Sequence, residues 1–262
     1  MMAGIDMTDA APVRIEEQGA ILIITINRPK QRNAVNRVVS LAIAEALDTL
    51  DNRDDLRVGI LTGEGGSFCS GMDLRAFVDG ERPELEGRGF GGLAEAPPKK
   101  PLIAAVEGFA LAGGCELALA CDMIVAAEDA WFGLPEVCRG LVAGSGGLLR
   151  LPKRIPAAIA LEYALTGQRM DAKTAHGWGL VNRLTPSGGA LAEALRLAMQ
   201  ITANAPLAVA MSKRIINESV DWPEDGIWER QRPLIESVLG SQDAQEGARA
   251  FAEKRDPVWR GV

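Results

Sequence analysis

The stretch IAAVEGFALAGGCELALACDMIVAA, residues 103–127, holds two short apolar segments on either side of a helix-like one. Residues 103–108 and 123–127 are rich in Ile, Val and Ala and have the length of buried strands. Between them, residues 113–122 (GGCELALACD) have the composition of an apolar helix that follows a glycine turn. A strand, a helix and a second strand in this order predict an α/β unit.

The N-terminal part of the chain repeats this alternation. Residues 20–29 (AILIITINRP) are β-branched and end at a proline, which predicts a buried strand after a shorter one at 13–15. The apolar positions of residues 35–50 follow one face of a helix. RVGILTGEGG, residues 57–66, then predicts a strand that ends in a glycine turn. The predicted fold class is therefore α/β.

The C-terminal part is predicted to be helical. After Leu184 no strand-like run occurs, and Pro186, Pro206 and Pro223 stand where helices would begin or end. We therefore expect a helical appendage at the C-terminus.

Residues 78–100 interrupt the pattern with Gly, Pro, Glu and Arg, which predicts a mobile surface loop able to act as a lid. Gly87, Gly89 and Gly92 in this segment match GxGxxG. No strand is predicted before them and no apolar helix directly after them, so the context of a dinucleotide site is missing.

Composition limits the classes of function. The net charge of −7 argues against a nucleic-acid surface, which needs a basic stripe to neutralise phosphates. No apolar run reaches the roughly 20 residues of a membrane span. The first twelve residues lack a basic start followed by an apolar stretch, so we expect a cytoplasmic protein that contacts neither membrane nor nucleic acid.

The cysteines do not form a metal-binding pattern. Cys69, Cys115, Cys121 and Cys138 contain no CxxC pair, and His176 is the only histidine. We therefore expect no structural metal and predict that these thiols are small buried apolar groups.

Two glutamates are candidates for acid-base chemistry. Glu116 is the one charged residue among the apolar and small residues 113–121, where a carboxylate is costly unless it has a partner. Glu136 follows Pro135 at a predicted helix start, a position that by itself suits any carboxylate because of the helix dipole.

Two glycine-containing turns could supply backbone donors. GGSFCSGMDLR, residues 65–75, and ALAGGCEL, residues 110–117, both place glycines before predicted helix starts, where backbone N–H groups have no partner. Two such donors aimed at one point form an oxyanion hole for a thioester carbonyl.

Five segments carry a resemblance to a known family. They occur in this order along the chain: FCSGMDLR (68–75), IAAVEGFALAGGCELALACD (103–122), FGLPEVCRGLVAGSGG (132–147), ALTGQRMDAKTAHGWGLVNRL (164–184) and FAEKRDPVW (251–259). The chain resembles the crotonase (enoyl-CoA hydratase/isomerase) superfamily over nearly its whole length. The resemblance implies a spiral of repeated ββα units over residues 1–195, which hold the acyl-CoA site, and a C-terminal helical trimerisation region over 196–262. It also implies a homotrimer or a dimer of trimers.

The resemblance also implies the reacting groups. The N–H groups of Met72 and Gly113 would form the oxyanion hole, Glu116 and Glu136 would be the catalytic pair, and Gly144 would help to position water. The sequence departs from the family at Ala112, which replaces a usual glycine, and at Ala143, where proline is common.

The remaining site residues are predicted to bind coenzyme A, which is part of the substrate. Arg28, Lys30 and Arg32 form a basic cluster after the second strand that suits phosphates, although a solvated basic turn explains it equally well. By resemblance, Ser70, Asp73 and Leu74 lie in an adenine-binding turn. Lys254 is expected to reach the CoA moiety of its own or a neighbouring subunit.

These features predict an enoyl-CoA hydratase that adds water reversibly, syn, to a trans-2-enoyl-CoA, without a metal or redox cofactor. The alternatives are a double-bond isomerase, a specialised dehydratase resembling carnitinyl-CoA dehydratase, and a noncatalytic acyl-CoA-binding protein. A serine hydrolase is disfavoured because AGSGG, residues 143–147, lacks the first glycine of GxSxG, and His176, its only possible base, is predicted to be structural.

Overall fold

The computed structural model describes residues 11–262, in which strands and helices alternate as predicted. The N-terminal residues considered for a targeting signal lie mostly outside this range. The strands are β1 (Val13–Gln18), β2 (Ile21–Ile26), β3 (Val58–Gly63), β4 (Glu84–Leu85), β5 (Gly89–Phe90), β6 (Leu102–Val106), β7 (Phe109–Leu111), β8 (Met123–Ala127), β9 (Trp131–Gly133), β10 (Met170–Asp171) and β11 (Arg183–Thr185).

The helices occupy the intervening segments and most of the C-terminal part. They are α1 (Arg37–Asn52), α2 (Leu74–Val78), α3 (Gly113–Ala120), α4 (Gly147–Arg154), α5 (Ala157–Thr166), α6 (Ala172–Gly177), α7 (Ala190–Thr202), α8 (Pro206–Ser219), α9 (Ile227–Leu239) and α10 (Gln242–Glu253). Short 3-10 helices cover Pro29–Gln31 and Pro135–Arg139.

The main sheet has the strand order β1-β2-β3-β6-β8-β11. Only the β1–β2 pair is antiparallel, and the other pairs are parallel. Every residue of β2 and β6 is buried, as expected for parallel strands covered on both faces. A smaller sheet has the order β10-β9-β7, so the chain passes from β6 to β7 and then into α3 as one ββα unit. The α/β prediction is confirmed.

The ends of the elements differ from the predictions by a few residues. The helix predicted at 35–50 begins at Arg37, because the side chain of Asn36 accepts a hydrogen bond from the N–H of Val39 at 3.2 Å and caps the first turn. The strand predicted at 57–66 ends at Gly63. The strand at 123–127 has the predicted bounds.

Small residues fix α7 against the second face of the main sheet. Ala190, Ala194 and Ala198 are fully buried and follow one another at the spacing of one helical face. They pack with apolar residues of β2, β3, β6 and β8. The boundary proposed between residues 195 and 196 falls inside this helix, and the division into two regions stays a prediction.

The C-terminal part is helical, as predicted, and it is tied to the rest of the chain by polar contacts. The ammonium group of Lys213 in α8 donates hydrogen bonds to Asp122 and to the carbonyl oxygens of Pro98 and Lys100, each at 2.7–2.9 Å. Between residues 11 and 262, no helix has the length and apolar character that crossing a membrane requires.

The prediction of a surface loop at 78–100 is wrong for its central part. β4 and β5 form a small hairpin, and residues 89–94 are buried, with Phe90, Leu93 and Ala94 in the main core cluster. The average composition of the segment hid the short apolar run FGGLA. Its backbone packs closely on α1, since a methyl group at Gly92 would lie 2.8 Å from Cβ of Ala44.

The packing of α7 on the sheet predicts that Ala194→Leu destabilises the protein. Ala194 is fully buried between α7 and the sheet, so the larger leucine side chain has no space there. The free energy of unfolding should therefore fall by about 1–3 kcal/mol. Ala192→Leu is the matched control, because Ala192 is exposed on the same helix and its change should stay within about 0.5 kcal/mol. Urea unfolding of both variants measures the difference, and equal losses would contradict the packing described.

Candidate active site

The start of α3 is held in a strained backbone conformation. Ala112, the residue before the helix, has φ 52° and ψ −131°, which costs about 1–3 kcal/mol for a residue with a side chain. Its N–H donates to the carbonyl of Gly133 at 2.9 Å, and the N–H of Leu111 donates to Cys69 at 3.0 Å. These bonds orient the following N–H, that of Gly113, outward from the first helical turn.

The loop that contains Met72 lies directly against this turn. Val35 binds the backbone on both sides of Met72. The N–H of Val35 donates to the Gly71 carbonyl at 2.8 Å, and the carbonyl of Val35 accepts from the N–H of Asp73 at 2.9 Å. Gly71 has φ +100°, and a methyl group there would lie 3.0 Å from the nitrogen of Gly113. Within residues 11–262, neither the Met72 N–H nor the Gly113 N–H donates a hydrogen bond. The structure thus brings the two predicted oxyanion donors together.

Phe90 packs against one of these donors. A methyl group at Gly113 would lie 2.6 Å from Cε1 and Cζ of the Phe90 ring, so the ring lies on the bare Cα of the glycine. Phe90 is only 3% exposed. Residue 113 therefore has to be glycine for steric reasons, and the segment that carries Phe90 is part of the site wall.

Glu116 is buried in the first turn of α3 and is held by the turn before α4. Its side chain is 3% exposed, and Oε1 accepts hydrogen bonds from the N–H groups of Ser145 at 2.7 Å and Gly147 at 2.9 Å. Burial raises the pKa of the carboxyl group, and these two donors and Arg150 oppose that rise. The carboxylate is therefore buried and also directly stabilised.

Glu136 lies near Glu116, and one of its two carboxyl oxygens has no hydrogen-bond donor in the described part of the chain. Its Oε2 is buried and has no hydrogen-bond partner in the described part of the chain. Burial raises the pKa of Glu136, and the negative charge of Glu116 raises it further. Two carboxyl groups that influence each other in this way titrate as a pair, and the pair favours holding one proton.

Gly144 lies at the rim of the glutamate site. It is exposed, whereas the preceding Ala143 is buried, and the next residue, Ser145, donates its N–H to Glu116. The N–H of Gly144 makes no hydrogen bond within residues 11–262. It is thus a further available donor, in addition to those of Met72 and Gly113, and it lies close to the glutamates.

Arg28 and Asp73, both predicted to bind CoA, bind each other. The Arg28 guanidinium donates to Asp73 at 2.9 Å and to the carbonyl of Ala34 at 2.5 Å. Burial disfavours ionisation of Asp73, but Arg28 and the N–H groups of the next turn outweigh it and hold the pKa of Asp73 below its usual value. This ion pair fixes the loop that carries Met72.

The other predicted CoA-binding residues divide into two places. Ser70 is joined to the basic cluster, because its N–H donates to the carbonyl of Arg32 at 3.1 Å. Lys30, Arg32 and Leu74 are exposed around the same loop. Lys254 is exposed at the C-terminal end of α10, and within residues 11–262 no hydrogen bond or ion pair joins it to this loop.

The cysteines are buried, as predicted, with one exception. Cys69, Cys115 and Cys121 are fully buried, and burial raises the pKa of Cys115 to about 12, which keeps the thiol beside Glu116 protonated. Cys138 is exposed, so the prediction is wrong for it, because it lies in a short 3-10 helix that has no buried residue. The ring of His176 donates through Nδ1 to the carbonyl of Val181 at 2.8 Å, a structural contact.

This arrangement matches a known family. A family model described as enoyl-CoA hydratase/isomerase covers residues 16–262. The chain belongs to the enoyl-CoA hydratase/isomerase family. Membership of this family confirms the crotonase resemblance and the fold that it implied.

Individual members of the enoyl-CoA hydratase/isomerase family are similar over their full length. An enoyl-CoA hydratase from Mycobacterium tuberculosis H37Rv is 59% identical, with a TM-score of 0.95 over 97% of this chain and 100% of that one. A carnitinyl-CoA dehydratase of Salmonella enteritidis is 46% identical over 95% of this chain and 98% of its own. A carnitinyl-CoA hydratase structure from Mycobacterium avium is 44% identical, with a TM-score of 0.78 over 97% of this chain and 100% of that one.

Some groups of this family member's site were not found from sequence. Phe90 lies in a segment that was predicted to be a surface loop, although the run FGGLA was a signal for a buried element. The donors of Ser145 and Gly147 are backbone groups, which no side-chain pattern reveals. Arg150 had no signal, because arginine on an amphipathic helix is common.

The Arg28–Asp73 pair predicts a coupled effect on stability. Arg28→Met leaves a half-buried carboxylate without its partner, so the free energy of unfolding should fall by about 2 kcal/mol. Adding Asp73→Asn should recover part of this loss, since asparagine keeps the helix cap without the charge. Lys30→Met, at an exposed neighbour, is the control and should stay within about 0.5 kcal/mol. Additive losses in denaturant unfolding of the double variant would refute the coupling.

Proposed function

We propose that the protein is an enoyl-CoA hydratase that adds water reversibly to a trans-2-enoyl-CoA. The observation that supports this most directly is the pairing of two unequal carboxyl groups. Glu116 has two backbone donors on Oε1, whereas Oε2 of Glu136 is buried with no partner in the described part of the chain. Addition of water needs an ionised carboxylate as the base and a protonated carboxyl group as the acid, and the two environments suit these two roles.

In this proposal Glu116 is the base and Glu136 the acid. The donors on Glu116 stabilise its ionised form, and its charge in turn favours the protonated form of Glu136. Water between the two carboxyl groups loses a proton to Glu116 as its oxygen attacks carbon 3. Glu136 gives its proton to carbon 2 on the same face, which makes the addition syn. Dehydration of a 3-hydroxyacyl-CoA is the reverse of these steps.

The thioester oxygen is assigned to the N–H groups of Met72 and Gly113. As water adds, charge moves onto this oxygen and gives it enolate character. Each donor in such a site contributes about 10²–10³ in rate, because it is already oriented before the charge develops. Both donors belong to backbone segments fixed by other hydrogen bonds, which fits that requirement. The proposed steps need no metal or redox cofactor.

The CoA part of the substrate is proposed to lie along the loop that follows the oxyanion donor. Lys30 and Arg32 are exposed there, and within residues 11–262 neither side chain forms an ion pair, so both can meet phosphates. Ser70 and Leu74 lie on the same loop and are assigned to the adenine. Lys254 lies elsewhere on the chain, and we assign it to CoA bound at its own or a neighbouring subunit.

A homotrimer or a dimer of trimers is proposed as the working assembly. Large apolar side chains are exposed on the C-terminal helices, among them Val220, Trp228, Leu239 and Phe251. Such side chains on several elements favour burial between copies of the chain.

The second candidate is dehydration of a specialised 3-hydroxyacyl-CoA. It is favoured by the similarity to a carnitinyl-CoA dehydratase, which covers nearly both chains. The same two glutamates would act, because the reaction is the same elimination. A family member that isomerises double bonds or only binds acyl-CoA is less favoured, since neither activity explains a pair of glutamates around a site for water.

Replacement of either glutamate is predicted to remove most of the activity. Hydration of crotonyl-CoA is followed as loss of enoyl-thioester absorbance, and dehydration of carnitinyl-CoA as a gain of that absorbance. Glu116→Gln and Glu136→Gln should each lower kcat by about 10²-fold or more, because each removes a proton-transfer group. Lys30→Met is the matched control and should alter KM more than kcat.

The outcomes separate the candidates. Preference for crotonyl-CoA supports the hydratase, and preference for carnitinyl-CoA supports the specialised dehydratase. Wild-type protein that is inert on both substrates, together with wild-type and glutamate variants that bind CoA thioesters equally well, would support the noncatalytic acyl-CoA-binding candidate.

The proton assignment predicts two different pH profiles. Wild-type kcat/KM should be bell-shaped, with limbs moved upward from ordinary carboxyl values, because burial raises both pKa values. The residual activity of Glu136→Gln should keep only the limb at low pH, where Glu116 takes up a proton. That of Glu116→Gln should keep only the limb at high pH, where Glu136 loses its proton. An exchange of the two limbs would reverse the assignment.

A further inference from the structure

We propose that Arg150 is a positioning residue that joins the turn holding Glu116 to the segment packed on the oxyanion donor. The inference rests on the proposed function of the two glutamates and adds to it a residue that does not touch the substrate. Arg150 lies in α4, one turn after the residues that bind Glu116.

The first contact of Arg150 is with the turn itself. Gly146 has φ +96°, and a methyl group there would overlap Nη1 of Arg150, so the guanidinium lies against this glycine. The two neighbours of Gly146 are Ser145 and Gly147, whose N–H groups donate to Glu116. The guanidinium therefore supports the middle of the turn, and both ends of that turn hold the carboxylate.

The second contact of Arg150 is with the segment that carries Phe90. Its Nη2 donates to the carbonyl of Ala94 at 2.6 Å. Ala94 is fixed to Phe90, because its N–H donates to the Phe90 carbonyl at 3.1 Å. The Phe90 ring packs on Gly113. One guanidinium thus connects the support of the base with the support of an oxyanion donor.

Arg150 also provides a charge for the glutamate. It is half-buried and forms no ion pair in the described part of the chain, and the one carboxylate that acts on its charge is Glu116. The other titratable groups around Glu116 are few: Glu136 faces it from the 3-10 helix, Cys115 lies beside it on α3, and Cys69 lies in the loop against the same helix. Of these, Glu136 holds its proton in the proposed function and so carries no charge, and the two thiols stay neutral because burial raises their pKa to about 12. Arg150 is therefore the nearby cation that favours the ionised base.

Arg154 offers a matched control in the same helix. It is more deeply buried than Arg150, and its guanidinium donates to the carbonyl oxygens of Leu119 and Cys121 at the C-terminal end of α3. It therefore tests the loss of a buried arginine that supports α3 without contacting the turn at 145–147.

The first experiment measures kcat/KM for crotonyl-CoA, or for the preferred substrate, against pH in R150M, R150K and R154M. In R150M the low-pH limb should move upward by about one pH unit, because loss of the cation destabilises ionised Glu116. R150K should keep the low-pH limb near its wild-type position, because lysine keeps the positive charge. Its kcat should fall about tenfold, because lysine lacks the planar guanidinium group that contacts both the turn and Ala94. R154M should leave the limb in place.

An unshifted limb in folded R150M, or an equal shift in R154M, would overturn the proposal. If R150M does not fold, R150K alone decides, and a kcat equal to the wild-type value would overturn it.

The second experiment is independent of turnover. The denaturant concentration at the midpoint of unfolding is measured at pH 8, and its decrease caused by R150M or R150K is compared between the wild-type and the E116Q background. The loss should be smaller with E116Q, because the charge that Arg150 supports is then gone. Equal losses would refute the inference about Arg150. Inert wild-type protein together with the expected coupling would instead refute the proposed function and keep the inference.

Discussion

A carboxylate inside an apolar helix is the constraint on which the rest of the site depends. Glu116 is 3% exposed and is surrounded on α3 by residues that offer it no hydrogen bond. Leaving such a group without donors would cost several kcal/mol, so another element has to supply them. The turn before α4 does so with the N–H groups of Ser145 and Gly147. The position of α4, and with it Arg150, follows from this requirement.

The same helix start creates the other half of the site. Because the first N–H groups of a helix have no partner inside it, the N–H of Gly113 is available to a ligand. A short β-bridge to Val35 brings the backbone of Met72 beside it. Both donors are therefore backbone groups fixed by backbone contacts.

Most of the fold could be inferred from local patterns, because strands and helices in this chain bury regular faces. The apolar run at 123–127 predicts a strand with the bounds that the structure shows. The observed helix after Asn36 begins two residues later than the pattern predicts, because Asn36 caps its first turn. The segment at 78–100 was misjudged because burial there depends on α1 and α3 lying close by. Backbone glycines at 91 and 92 allow that approach, and the polar composition around them gave the opposite impression.

The sequence alone identified the family, the two glutamates and the two glycine turns, because these are local motifs whose order along the chain is distinctive. It could not show that Arg28 binds Asp73, 45 residues away, or that Arg150 reaches Ala94 across 56 residues. Nor could it separate the two glutamates, since their difference is the number of donors around each one. Those donors are backbone N–H groups, which every residue except proline possesses. Only the tertiary structure decides which of them point at a carboxylate and which remain available to a substrate.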